Sequence, residues 1–496
     1  MPPRLIRRAR ARVTTVALVL LPMTAASATH ATARASHVCL GSRPCRSAAS
    51  HVVPAQGAGS LYTGYSAVSP HWPHIRTMAT DFYYSWTPAE RRWAGEHYDF
   101  AMGGDESAWK AANQRVGHYK YVLLQATVLP KAGAKGDIQS GWYRDMVEWY
   151  ARHPQLRLER AFLHRAGQPA DSAHRLTPWG WDSHTWILNP ADSGAIAYTV
   201  DRMKRAAAGE DGLFVDSQGS GAIDKNMQGS SEFPEKTKWP PEMTPYYTAY
   251  VHLLASIKSA IGAKVLMLNT GPYRFPPDSM ALLAAGATHM EKTNDPMSTD
   301  LPGTWTWIDK LLRMGTFVDF VSTRDYDDMS GPVKRHYDTS VERAFRRVKL
   351  AELASYYMVV PDTPDRFALQ LVNSWNHPYS KLWLRAQEAD IGHPTGARRV
   401  VTADVPAKDP AGQQVRIFAR DFDRALVLMR VQTGWGAQIY GDTTAVSVPL
   451  PMGEAWLPLD PDGTLGSPVT SVVLNNADAA ILIKRSTIGD AAPERQ

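Results

Sequence analysis

The chain has 496 residues, 44% of them hydrophobic and 21% charged, with a formal net charge of +6. That length and composition supply a large packed core over two or three domains and exclude a disordered or collagen-like chain. Five of the positive charges are Arg4, Arg7, Arg8, Arg10 and Arg12, so the rest of the chain carries only +1, and it has no basic stripe of the kind a nucleic-acid binder needs.

These arginines form the basic n-region of a secretory signal peptide over residues 1–28. Residues 13–21 are its apolar h-region, and Ala26, Ser27 and Ala28 are its small-residue cleavage signal. The apolar run falls well short of the ~20 residues that span a bilayer, and no other stretch is apolar enough to cross. Arg7-Arg8 matches twin-arginine export poorly. Residues 29–60, rich in Ser, Ala and His, read as a flexible leader. Both cysteines, Cys39 and Cys45, lie there, and in an exported chain they can close a small disulfide loop that staples little of the fold.

From Leu61 strand-like and helix-like segments alternate. Apolar strands are expected at 75–84, 98–102, 119–125, 212–216, 265–269, 287–291, 317–322 and 367–373. Helical spacing appears at 143–150, 193–207, 246–261 (closed by Gly262), 305–314 and 340–358. Residues 158–163 fit a ninth strand or, with 179–189, an excursion before the fourth. Strands alternating with helices argue for a parallel sheet, and eight such units fit a (β/α)8 TIM barrel over residues 61–395. No strand is followed by a glycine-rich dinucleotide fingerprint. After Gly396 helical spacing disappears. Short strands at 415–419, 425–431, 445–449, 455–457, 469–474 and 479–483, set between Gly, Asp and Pro turns, predict an all-β sandwich over residues 396–490. The predicted fold class is therefore α/β, a TIM barrel followed by a small C-terminal β-sandwich.

Two of the apolar strands end in acids. Asp216 closes Gly212-Leu213-Phe214-Val215, and Glu291 closes the sixth expected strand. Acids at the carboxyl ends of barrel strands face the mouth, where barrel enzymes hold their chemistry. Glycoside hydrolysis asks for such a pair, one carboxylate as nucleophile or base and one carboxylic acid to protonate the leaving oxygen. Each acid also has a plain structural reading: Asp216 as a cap of the following segment, Glu291 as the partner of Lys292 or an arginine. Asp81, Asp105, Asn269, Arg324 and Asp325 fall near other strand ends and are candidates for holding sugar hydroxyls, as are Asn373 and Asn376. Aromatics gather in the connections: Trp179, Trp181 and Trp186; Trp239, Tyr246 and Tyr247; Trp305 and Trp307; Trp375. Flat rings at a rim suit sugar faces as well as they suit packing, and Trp181, Trp305 and Trp375 are the expected stacking residues. His164, His174 and His184 lack ligand spacing, so no metal is expected, and no organic cofactor either. His289 shares the face of Glu291. No Gly-x-Ser-x-Gly elbow is present.

Phe214-Val215-Asp216-Ser217, Leu266-Met267-Leu268-Asn269, His289-Met290-Glu291, the stretch Ala389 to Gly396 and the stretch Arg420 to Val427 together resemble the hypothetical glycosyl hydrolase-like family numbered fifteen, which is distinct from the glucoamylases of that numeral. The outline is also similar to the endo-α-1,4-polygalactosaminidase barrels. The resemblance covers most of residues 65–485. It implies a TIM barrel followed by a β-sandwich, secretion, and a polysaccharide substrate, and it carries a nucleophile onto Asp216 and an acid onto Glu291. The reading is thus a secreted glycoside hydrolase with a carbohydrate partner. The alternatives are a non-catalytic glycan-binding barrel and a metal-dependent barrel hydrolase; the latter lacks the histidine-rich strand ends it would need.

Overall fold

The computed structural model describes residues 75–81, 87–124, 126–128, 142–177, 185–216, 230–233, 245–269, 289–294, 296, 300–322, 336–338, 340–362, 366–371, 383–401, 414–433 and 444–485. The expected signal peptide, leader and cysteine loop lie outside the described residues.

The strands of the first part are β1 (Arg76–Asp81), β2 (Phe100–Gly103), β3 (Gly117–Leu123), β4 (Ala126–Val128), β5 (Thr185–Ile187), β6 (Gly212–Asp216), β7 (Val265–Asn269), β8 (His289–Asn294), β9 (Phe317–Ser322) and β10 (Phe367–Gln370). Eight of them form a curled, all-parallel, TIM-barrel-like sheet in the order β1-β2-β3-β6-β7-β8-β9-β10. The strand β10 pairs back onto β1 through a thin seam of two residue pairs, Arg76↔Ala368 and Thr77↔Leu369. The remaining two, β4 and β5, make an antiparallel ribbon inside the β3–β6 connection.

Parallel strands covered on both sides read as continuous apolar runs, which is why Leu213, Phe214 and Val215 follow one another without a polar break. Alternate residues point to opposite faces. Phe214 faces inward with Met78, Phe100, Met102, Tyr119, Met267, Phe317 and Ala368, and together they plug the interior. Leu213, Val215, Leu266, Leu268, Val318 and Phe320 face outward and join the helices in the main core.

The helices are α1 (Pro88–His97), α2 (Glu106–Ala112), α3 (Tyr143–Ala151), α4 (Ser193–Ala206), α5 (Pro245–Ile261), α6 (Leu301–Arg313) and α7 (Val341–Val359). Of these α5 ends where expected, with Gly262 at φ 64° in the left-handed region that favours glycine. The helices α1 and α2 are additions to the sequence expectation. A capping box starts α1: Thr87 Oγ1 accepts from the Glu90 N–H, and the Glu90 carboxylate accepts from the Thr87 N–H at 2.9 Å. Thr87→Ala should cost about 1 kcal/mol in urea unfolding, the usual worth of such a cap.

The excursion before the fourth barrel strand is present as β4, α3, β5 and α4. Residues Leu158–Ala161 inside it form a 3-10 turn rather than a ninth strand. The sixth barrel strand runs on past the apolar pattern, its described residues being His289–Asn294, so Glu291 does not close it.

The C-terminal strands are β11 (Arg399–Val401), β12 (Val415–Asp421), β13 (Ala425–Gln432), β14 (Val446–Pro449), β15 (Trp456–Pro458), β16 (Ser471–Leu474) and β17 (Asp478–Lys484). They form an antiparallel five-stranded sheet, β11-β12-β13-β17-β15, and an antiparallel pair, β14-β16. Ile417, Leu426, Leu428, Val448, Trp456 and Leu482 pack between the two sheets. The other face of the large sheet, with Val427, Met429, Val431 and Ile481, joins the main core beside α6 and α7. The strand β13 is therefore buried along its whole length, and α7 is buried at every position from Ala351 to Val359, where it lies against both sheets.

Candidate active site

Gly212 opens β6 at a point where the chain crosses very close to β7. A Cβ added there would meet the Val265 carbonyl oxygen at 2.4 Å, so only glycine lets the two strands pair at this spacing. Counting two by two from the inward Phe214 places Asp216 inward as well, at the carboxyl end of the strand. Its side chain is partly exposed. Tyr121 Oη donates to Asp216 Oδ2 at 2.6 Å, and Asn269 Nδ2 donates to Asp216 Oδ1 at 2.7 Å. Both carboxyl oxygens are thus used as acceptors, which fixes the side chain in one rotamer. Tyr121 reaches this position because it alternates inward with Tyr119 on β3, and its ring rests against Phe214 at a centroid distance of 6.0 Å.

The register of the sheet carries the site sideways. Asp216 is the Cα partner of Leu123, Asn269 of Glu291, Glu291 of Asp319, and Asp319 of Ala368. Partners on neighbouring parallel strands share a face, so Glu291 and Asp319 stand on the inward register with Asp216 and Asn269. Barrel strands tilt against the axis, so this line of partners runs from the mouth into the interior. Asp216 and Asn269 keep some exposure, whereas Asp319 and Ala368 have none.

Two inward polar groups escape sequence reasoning altogether. Asp319 interrupts the apolar run Phe317-Val318-Asp319-Phe320-Val321, and neither of its carboxyl oxygens has a hydrogen-bond partner among the described residues. Burial raises its pKa well above the ordinary carboxylate value. Gln370, at the end of β10, is buried with both amide atoms unpartnered among the described residues. The signal for each is a lone polar residue on the inner parity of an otherwise apolar strand.

Several expected site residues serve the scaffold instead. Asp81 has the opposite parity to Met78 and points outward. Its Oδ2 accepts from Trp109 Nε1 at 3.0 Å, with the Arg91 guanidinium 3.6 Å away, so it ties β1 to α2 and α1. Burial is the main cause that raises its pKa, opposed by the Trp109 hydrogen bond and the Arg91 charge. Asp105 is the N-cap of α2, accepting from Ser107 N–H at 3.0 Å. Trp305 is fully buried on α6, where its Nε1 donates to Ser355 Oγ at 2.9 Å and its ring meets Phe418 edge-on. It joins the barrel layer to the C-terminal sheet and is not a rim residue. Tyr246 is likewise buried on α5. Trp186 lies on β5 against Tyr143 at 4.9 Å, with the Arg175 guanidinium 5.0 Å from its ring. Arg324, Asp325, Trp181 and Trp375 lie outside the described residues.

His164 is buried within the excursion. Glu232 Oε1 lies 2.7 Å from its Nδ1 and Glu159 Oε1 2.9 Å from its Nε2, while Arg175 pairs with Glu159. Among the described residues no group of three or more His, Cys, Asp or Glu could hold a metal ion, and no helix is long and apolar enough to cross a membrane.

The Tyr121 hydroxyl offers a clean probe of the site. Tyr121→Phe removes one donor to Asp216 and leaves the ring packing in place. Under the glycoside-hydrolase expectation drawn from the sequence, a tenfold or greater fall in kcat, with KM within threefold, is the expected result, since one charge-assisted hydrogen bond is worth about 1.5–3 kcal/mol.

No protein-family model and no curated protein matches the chain, so the resemblance to the hypothetical family rests on the motifs quoted above. Among solved structures, the glycoside hydrolase domain of PelA from Pseudomonas aeruginosa aligns over 52% of this chain and 89% of its own length, at 12% identity and a TM-score of 0.31. The GH36 α-galactosidase AgaA from Geobacillus stearothermophilus aligns over 83% of this chain and 56% of its own, at 10% identity and a TM-score of 0.40. AgaB of the same organism aligns over 83% and 55%, at 9% identity and a TM-score of 0.42.

Proposed function

We propose that the chain is a secreted glycoside hydrolase that cleaves a polysaccharide or its fragments by a two-carboxylate mechanism. It would comprise a catalytic barrel over residues 61–395 and an accessory β-sandwich over residues 396–490. The observation that carries the reading is Asp216: inward at the carboxyl end of its strand, both oxygens held by Tyr121 and Asn269, with Glu291 in register on the strand beyond Asn269.

In this reading Asp216 is the nucleophile or the general base. The two donors fix its orientation towards the mouth, so little reorganisation remains when charge moves onto the sugar. Glu291 is the general acid that protonates the departing oxygen. Two strand spacings of about 4.8 Å put the two residues' backbones roughly 9–10 Å apart. Export through the basic and apolar N-terminal segment would deliver the enzyme to an extracellular glycan.

Leaving-group chemistry tests the acid. With aryl glycosides of the cognate sugar, Glu291→Gln should slow substrates with poor leaving groups by about 10²-fold or more. It should spare activated nitrophenyl substrates, whose departure needs no proton. Equal loss on both would remove Glu291 from the acid role. Tight glycan binding with no turnover by the wild type would instead identify a binding barrel.

A further inference from the structure

The buried ring of His164 meets a carboxylate at each of its two nitrogens. Glu232 Oε1 lies 2.7 Å from Nδ1 and Glu159 Oε1 2.9 Å from Nε2. A neutral imidazole has one N–H and one lone pair, so it can donate to only one of the two, whereas the imidazolium donates to both. Neither carboxyl group is placed to supply the missing proton. Glu159 accepts from Arg175 Nε at 2.7 Å and from Arg175 Nη2 at 2.5 Å. Burial pushes the Glu159 carboxyl up, but the hydrogen bonds and charges of Arg175 and His164 outweigh it and hold the group below its ordinary value. Glu232 Oε2 accepts from the His164 N–H at 2.9 Å and from Ser230 Oγ at 2.8 Å, which leaves Oε1 to face the ring.

These contacts join two parts of the chain that are far apart in sequence. Glu159, His164 and Arg175 belong to the excursion between β3 and β6, and Glu232 to the connection that leads from β6 to α5. The backbone ties run across the same seam. The Ser231 N–H donates to the His164 carbonyl at 2.9 Å, Ser231 Oγ donates to the Arg165 carbonyl at 3.0 Å, and Arg165 and Ser230 form an antiparallel bridge. Phe233 follows, buried against Tyr246 on α5. Among the described residues, the charged and titratable groups around the ring are Glu159, Arg175 and Glu232. One contact further out is Tyr143 on α3, whose Oη accepts from Arg175 Nη1 at 3.2 Å.

We propose that His164 is a pH-operated latch: as an imidazolium it clamps the β6–α5 connection to the excursion, and loss of one ring proton releases that clamp. With the proton gone, a ring lone pair faces a carboxylate oxygen in a site closed to water, and the contact turns from attractive to repulsive. Glu232 is the side that opens, because Glu159 stays anchored by Arg175 and can keep the remaining N–H. The acid end has its own limit. The contribution of Glu159 is present above its ordinary value of 4.5 and is lost as pH falls through the lowered folded one. None of these groups belongs to the carboxylate pair at the mouth, so the latch stands or falls apart from the hydrolase reading.

The test joins two measurements on the full chain between about pH 5.5 and pH 9, the range in which histidines change charge. Nitrogen NMR of the ring, assigned by its loss in His164→Gln, should show both nitrogens protonated at the acid end and one at the alkaline end. Over the same step, hydrogen exchange at the Ser231 and His164 amides should lose about tenfold or more of its protection beyond the intrinsic base-catalysed rise, the worth of one charge-assisted hydrogen bond. Glu232→Gln supplies the control. Its amide oxygen can take over both bonds of Oε2, and its NH2 can donate to Nδ1 of a neutral ring that keeps its Nε2–H for Glu159. The latch should then be closed without a ring charge, with protection constant to within about threefold and no doubly protonated ring. A wild-type ring that is neutral throughout, or doubly protonated throughout with constant protection, overturns the latch. The same step in protection in Glu232→Gln as in the wild type overturns it as well.

Discussion

Asp216→Asn should abolish glycan hydrolysis, with kcat down on the order of 10³-fold or more, about 4 kcal/mol of transition-state stabilisation. The substitution is informative because the site tolerates its shape. The Asn oxygen can still accept from Asn269 Nδ2, and its amide can donate to Tyr121 Oη once that hydroxyl turns, so the hydrogen-bond frame seen at 2.7 and 2.6 Å survives. What disappears is the negative charge and the nucleophilic oxygen. KM and urea unfolding should therefore change little while turnover collapses. If Asp216 were only a cap on the segment that follows, the same substitution would leave turnover intact and cost at most the worth of one cap.

A second large effect is expected far from the mouth, on the outer side of β9. Lys349 and Glu352 on α7 are both fully buried, with Lys349 Nζ 3.0 Å from Glu352 Oε2. The Ser322 hydroxyl, at the carboxyl end of β9, donates to Glu352 Oε1 at 2.7 Å. Lys349→Met removes the ammonium 3.0 Å from the buried Glu352 carboxylate and should cost about 3–5 kcal/mol in urea unfolding. Lys349→Met combined with Glu352→Leu should recover most of that loss, because the second change also removes the desolvation cost of the remaining charge. Strictly additive losses would show that the pair does not act as a unit.

A segment was legible in the sequence where its placement depends on its own strand alone. Gly212–Asp216 has a glycine that permits close pairing, three apolar residues and then an acid, and the structure returns the same five residues as β6. Inward or outward placement was harder to read. Asp81 and Asp319 both sit in strands buried at every position, so hydrophobic alternation cannot tell inner from outer. Only the tertiary partners decide it, and they send Asp81 out to Trp109 and Asp319 into the barrel. The end of β8 was missed for a related reason. Lys292, Thr293 and Asn294 continue the ladder on β9 although the apolar run stops at Met290. Trp305 looked like a rim aromatic because it follows a strand. The helix expected from residue 305 starts at Leu301, behind the Asp300 cap and with Pro302 in its first turn, both legible, which carries Trp305 inside the helix. Tyr121 was passed over because a tyrosine inside a strand reads as packing until the strand beside it supplies a carboxylate.

The release of new reducing ends from a panel of polysaccharides, measured side by side for wild type, Asp216→Asn and Glu291→Gln at matched folded concentration, tests the two-acid assignment most directly. Turnover by the wild type on at least one glycan, reduced on the order of 10³-fold by Asp216→Asn and strongly by Glu291→Gln, is the predicted result. Hydrolysis that persists undiminished in either variant contradicts it.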